Sequence, residues 1–244
     1  MRAAREVVDG LRGELRAVDG RTWFLGLGSL LVVALWLTCG SAAFFRATWG
    51  PAFAGDPWAD WWPWLYYHLN ALLLLGLLPL AGLRLGWGVP LRELGVGAGD
   101  WRWGLRFALV GAAVATPLVW IGSHDPAFQA EYPLTKLAGR SGTTWVLWEL
   151  TYLLYYLGWE AYFRGALLFG LRERLGVPGA LALQTAISTL AHLGKPVGEL
   201  LAAAPAGFLF GAAALRARSF LWPLLLHWFV GALMDVLAFH QARG

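Results

Sequence analysis

The sequence predicts an all-α, polytopic helical membrane protein with about seven transmembrane helices, on three observations. Of its 244 residues, 58% are apolar and only 14% are charged, where an ordinary soluble domain has about 25% charged residues. The mean hydropathy is +0.55. The apolar residues lie in long blocks of Leu, Ala and Gly, without the period-two alternation of a transmembrane barrel. These features exclude a soluble globular domain and a disordered chain. A single cysteine, Cys39, excludes a disulfide scaffold.

Each element follows from its block. Residues 1–21 are polar and of mixed sign, and are expected to form a cytoplasmic amphipathic segment at the interface. The first apolar block starts at Trp23, too late for a cleaved signal. Spans are expected at Thr22–Phe45, at Trp61–Leu83 behind the aromatic cluster Trp61, Trp62, Trp64, Tyr66 and Tyr67, and at Phe107–Ile121. A fourth runs from Thr143 to Leu175, followed by Val177–Leu193, Gly198–Leu215 and Ser219–Phe239. Residues 84–106 form a polar connection, and 122–142 form a loop holding Pro126 and Pro133. Residues 22–142 are therefore N-terminal helices and loops, and 143–240 a core of helices within one membrane domain.

The net charge of +4 reflects topology rather than nucleic-acid binding. With the N-terminus inside, thirteen arginines between Arg2 and Arg218 face the cytoplasm. Arg46, Lys136, Arg140, Lys195 and Arg243 face out. The expected location is an integral membrane protein of the bacterial inner membrane, with a cytoplasmic N-terminus.

Ionisable groups inside spans are costly and mark candidate functional sites. Glu149, Glu160 and Arg164 lie on the fourth span, His192 ends the fifth, Glu199 opens the sixth, and His227 and Asp235 lie on the seventh. Glu160 and Arg164, four apart, share a helix face and are expected to pair. Glu160 precedes the helix-end Arg172 by about 18 Å of rise, His192 follows Pro178 by about 21 Å, and His227 follows Arg218 by about 13 Å. The three therefore converge on one layer inside a hydrocarbon core about 30 Å thick. A carboxylate and two imidazoles at one depth can activate a water and stabilise an oxyanion.

The stretch Trp159-Glu160-Ala161-Tyr162-Phe163-Arg164-Gly165 resembles the Glu-Glu-x-x-Phe-Arg-Gly motif of the CPBP family, the CAAX proteases and bacteriocin-processing enzymes. His192 matches the first histidine of that family's second motif. The region from Gly207 through Ser219-Phe220-Leu221-Trp222-Pro223 to His227 is similar to its third and fourth. The resemblance covers about Thr143 to Phe239. It implies an intramembrane endopeptidase using a glutamate-activated water, without cofactor, on a membrane-embedded or lipidated peptide. Three positions depart from the pattern. Trp159 stands in place of the first Glu, Ser188 in place of a Phe, and Gly231 in place of an Asn. Glu160 then takes the base role, with His192 sharing the water and His227 holding the oxyanion. Arg164, Glu199 and Asp235 are supporting residues, with Glu199 as a second candidate base.

Two alternatives stay open. Glu160, His192 and His227 have the residue types of a catalytic zinc site, without a His-Glu-x-x-His motif. A non-catalytic relative that binds a membrane peptide or lipid is the other. His68 reads as an interfacial residue, His124 and Asp125 as a solvated turn, Cys39 as packing, and Gly207 and Gly211 as a small-residue packing stripe. Reporter fusions test the topology: an N-terminal reporter active only in the cytoplasm and a C-terminal one active only outside is the expected outcome.

Overall fold

The computed structural model describes residues 2–243, and among these it contains helices and turns but no strand. An amphipathic helix α1 (Arg2–Arg16) precedes α2 (Gly20–Leu37), α3 (Trp62–Trp87) and α4 (Trp101–Gly122). Helix α5 starts as Gly142–Glu160 and continues as a π-helix over Ala161–Phe169. It then enters the stretch Gly170–Leu190, which Gly176 breaks at φ +67°; the part beyond the break, 177–190, is α6. Helices α7 (Val197–Ala217) and α8 (Leu221–Gln241) complete the fold.

Among the described residues five helices, α2, α3, α4, α7 and α8, are long and apolar enough to cross a membrane. The two other expected spans exist as α5 and α6 but do not meet that standard by themselves. Helix α5 carries Glu149, Glu160 and Arg164. At 1.5 Å per residue, the 177–190 segment of α6 rises only about 21 Å.

Several boundaries shift because caps, not hydropathy, end helices. The first span stops at Leu37. Ser41 then caps a separate short helix, Ala42–Thr48, by accepting from the Phe44 N–H at 3.1 Å. Helix α4 starts six residues before the apolar block because Asp100 caps it through the Trp103 N–H. Arg216 bonds the same carboxyl at 2.9 Å, and this bond and the Trp103 N–H hold it below the usual carboxylate range. The 122–142 loop contains a short helix, Pro126–Glu131, capped by Asp125.

Helix α5 is the axis of the bundle. Every residue from Gly158 to Leu171 is buried, as expected of a helix apolar on all sides and surrounded by others. Leu25 and Trp36 of α2, Leu75 and Leu83 of α3, Leu181 of α6 and Ala214 of α7 share its core. Tyr162 anchors α2 by donating to the Ser29 carbonyl at 2.9 Å. On the far side, Trp148 of α5 donates to Asp235 of α8 at 2.6 Å. Helices α6 and α7 meet where Gly207 faces Ser188 and Thr185 and Gly211 faces Gln184. Gly207 also accepts from the Gln184 amide at 3.0 Å. The stripe expected to pack does so.

The linker from Gly95 to Asp100 docks on the turn between α7 and α8 through main-chain atoms. Gly95, Gly97 and Ala98 accept from Phe220 N, Ser219 Oγ and Trp222 Nε1, and Asp100 N donates to the Ala217 carbonyl.

A close backbone crossing lies one residue from the charged motif. Helix α3 passes through a π-helical turn at Ala71–Leu77, and a Cβ on Gly158 would collide with the Ala71 carbonyl there. Gly158→Ala is expected to lower stability by about 1–3 kcal/mol through overpacking. Thermal unfolding in detergent checks this; an unchanged midpoint would show that α3 and α5 do not meet as described.

Candidate active site

The charged motif sits where α5 changes from α- to π-helix, a widening of the turn often found at functional sites. Glu160 is the last α-helical residue and is fully buried. Its Oε1 accepts from Arg164 at 3.1 Å and from His227 Nδ1 of α8 at 2.7 Å. Its Oε2 has no partner. Arg164, 2% exposed, lies 5.5 Å above the Phe210 ring. The pairing expected from the four-residue spacing is present, and the link between Glu160 and His227 joins two helices 67 residues apart in sequence.

The hydrogen bonds fix both histidine tautomers. A carboxylate only accepts, so His227 Nδ1 carries the proton and Nε2 is left as an acceptor. His192 lies in the turn just after α6, and its Nδ1 is 2.6 Å from the Ser188 carbonyl. A carbonyl also only accepts, so His192 too presents a basic Nε2. The two rings flank Trp159, with centroids 5.0 Å and 6.4 Å from it.

This geometry redistributes the expected roles. Glu160 bonds to His227, not to His192. A His227 that gives its Nδ1 proton to Glu160 has no second proton, in the neutral form, for an oxyanion. Nor do Glu160, His192 and His227 form a three-ligand set, because Glu160 Oε1 is taken by Arg164 and His227. Among the described residues no three His, Cys, Asp or Glu side chains are grouped to share a metal ion.

The supporting acids bond elsewhere than to the pair. Glu199 accepts from Tyr132 at 2.7 Å, and beside it Lys195 pairs with Glu131 at 2.7 Å. The two contacts tie the 122–142 loop to the turn that carries His192. Burial, then the Glu199 charge, push the Tyr132 phenol well above its usual range, which keeps it the donor. Asp235 is buried against Trp148. His68 is fully buried rather than interfacial, stacked 5.2 Å from Tyr152. It was misread because it adjoins the aromatic cluster, whose Trp61 is itself buried. Cys39 is exposed rather than packed, because the chain leaves α2 just before it.

Sequence reasoning missed Tyr156. Its ring centroid lies 4.7 Å from that of His227, tilted by 54°, and a Cβ at Gly231 would overlap its hydroxyl. Tyr156 thus fills the space an Asn side chain at 231 would need. The signal was its position four residues before Glu160 on the same face. Trp159, 1% exposed, packs against Trp36, Tyr155 and Phe163. It belongs to the core as well as to the site wall.

Fold and site together define a polytopic α-helical membrane protein with a carboxylate–imidazole pair buried between helices. Residues 140–233 match the family described as Type II CAAX prenyl endopeptidase Rce1-like, the grouping that the motif at Trp159–Gly165 resembles. The match includes Tyr156, Glu160, Arg164, His192 and His227, and stops before Asp235. Neither a curated protein nor a solved structure matches the chain.

Removing one member of a buried ion pair strands the other, at a cost of about 3–5 kcal/mol. Arg164→Ala is expected to lower the thermal midpoint in detergent accordingly. Pairing Arg164→Met with Glu160→Gln, which leaves no unmatched charge, is expected to recover most of the loss. An unchanged midpoint in Arg164→Ala would mean that the pair is solvated.

Proposed function

We propose that this protein is an intramembrane endopeptidase that hydrolyses a membrane-embedded or lipidated peptide by a histidine-activated water, without a metal. The observation that carries this is the 2.7 Å bond between Glu160 and His227 Nδ1 inside the bundle. A carboxylate held this way fixes the imidazole tautomer and stabilises the imidazolium formed when Nε2 accepts a proton.

In the proposed reaction, water gives one proton to His227 Nε2 as its oxygen attacks the scissile carbonyl carbon. It donates its other hydrogen bond to His192 Nε2, which orients it. The tetrahedral oxyanion accepts a hydrogen bond from the Tyr156 hydroxyl. His227 then passes its proton to the leaving nitrogen, the C–N bond breaks, and an acid and an amine result. Glu160 stays ionised throughout, held by Arg164.

One observation favours a second reading, a non-catalytic protein that binds a membrane peptide. Trp159 buries an indole where the resembling family carries its first Glu.

Processing of a co-expressed membrane substrate separates the two. At equal protein level, His227→Ala, and Glu160→Gln combined with Arg164→Met so that no charge is left unmatched, are expected to reduce cleavage at least about a hundredfold. Tyr156→Phe should do so by about the loss of one oxyanion donor, about a hundredfold. Cleavage should survive a chelator. Normal cleavage by the His227 variant would overturn the mechanism. A wild type that binds the peptide without cutting it would support the second reading.

A further inference from the structure

At the end of the bundle where α1 lies, a cavity of about 330 Å³ opens between the 91–99 linker, the end of α5 and the α7–α8 turn. Its floor is the apolar ring of Phe169, and three arginines line it, Arg92, Arg172 and Arg218, with one acid, Glu93. The arginines come from three separate elements. Among the described residues none of them has an ion pair. Arg216, two residues from Arg218, is by contrast spent on Asp100 at 2.9 Å.

The cavity at the other end, of about 250 Å³, also holds cations but engages most of them. Lys136 donates to the Gln129 and Tyr132 carbonyls, and Arg140 donates to the Pro57 carbonyl. An excess of arginine inside is expected of any membrane protein. Convergence of three unpaired guanidinium groups on one concave site is not required by that rule.

The level of the cavity in the membrane identifies its occupant. Arg174 reaches the Ala17 carbonyl and Arg21 pairs with Glu173, so α1 and the end of α5 share one level. Helix α1 exposes Val7, Val8, Leu11 and Leu15, an apolar face suited to lying in the headgroup boundary. Trp87 and Trp101, at the end of α3 and the start of α4, are also exposed, in the manner of an interfacial aromatic belt. We propose that this cavity binds the phosphate of an anionic phospholipid headgroup, held by Arg92, Arg172 and Arg218 over Phe169. Guanidinium groups grip phosphate oxygens in a bidentate fork, and Glu93 leaves the site with a net positive charge. Basic pockets between membrane helices are a known setting for anionic lipid headgroups. The site lies apart from Glu160 and His227 and does not depend on the peptidase reading.

The test uses the full chain in detergent, with phosphatidylglycerol, phosphatidylcholine or inorganic phosphate as probes. Retained lipid is read by native mass spectrometry, and the thermal midpoint is read beside it. Arg92→Gln, Arg172→Gln and Arg218→Asn remove the charges; Asn keeps the left-handed backbone found at Arg218 (φ +52°). Arg102→Gln, on an exposed arginine of α4 outside the cavity, is the control. The expected result is that phosphatidylglycerol is retained and raises the midpoint while phosphatidylcholine does not. Each arginine removed is expected to weaken retention about fivefold, the equivalent of about 1 kcal/mol. The control and the lipid-free midpoints should not change. Retention unchanged in the triple variant, or equal loss in the control, would overturn the site. The same midpoint shift with inorganic phosphate alone, abolished in the triple variant, would overturn the lipid and leave a free anion. Should the triple variant fold poorly, the three single variants carry the same comparison.

Discussion

The structure depends on satisfying one carboxylate oxygen buried inside the bundle. Glu160 lies within fourteen consecutive buried residues, and an unmatched charge there would cost several kcal/mol. Its Oε1 meets that cost with two donors of different origin. Arg164 comes from the same helix and His227 from α8. The first keeps the charge tolerable, and the second makes it a cross-brace between the bundle axis and its last helix. The close crossing at Gly158, the π-helical widening after Glu160 and the indole of Trp159 all adjoin this charge along α5.

The departures from the resembling family's pattern form a consistent set. A large aromatic at 159 fills core volume beside both imidazoles. The missing side chain at 231 makes room for the Tyr156 hydroxyl. Ser188 presents its carbonyl to His192 and a side chain small enough for Gly207 to approach. Each change taken alone looks like loss of function. Together they leave an indole and a phenol beside the imidazole rings.

Much of this was legible in the sequence. Apolar block lengths gave the long helices, because hydrocarbon thickness fixes how many residues a span needs. Counting rise from the charged helix ends placed Glu160, His192 and His227 at a common depth. What rise cannot give is azimuth. Spacing along each helix does not fix how the helices turn toward one another, so whether Glu160 would face His192 or His227 was not readable from it. Helix ends were misjudged at Leu37 and Trp101 because one capping hydroxyl or carboxylate outweighs several residues of hydropathy. The burial of His68 was hidden because aromatic clusters serve both interfaces and cores. The pairs Tyr132–Glu199 and Lys195–Glu131 join loops far apart in sequence, with no local pattern to reveal them.

The linker between α3 and α4 bears on how this chain can diverge. Gly95, Gly97, Ala98 and Asp100 hold the α7–α8 turn through backbone carbonyls and an amide, and such partners are supplied by almost any residue. Gly95, Gly97 and Gly99 are the exceptions, since each has a left-handed φ, with the Phe169 ring against Gly95 and the Ala217 carbonyl against Gly99. The positions between these glycines can therefore drift in composition while the segment remains intolerant of a change in length. An inserted or deleted residue would move every main-chain partner out of register and turn α8 with it. Related chains should then vary here by substitution and hardly at all by gaps, the reverse of the usual behaviour of a surface loop.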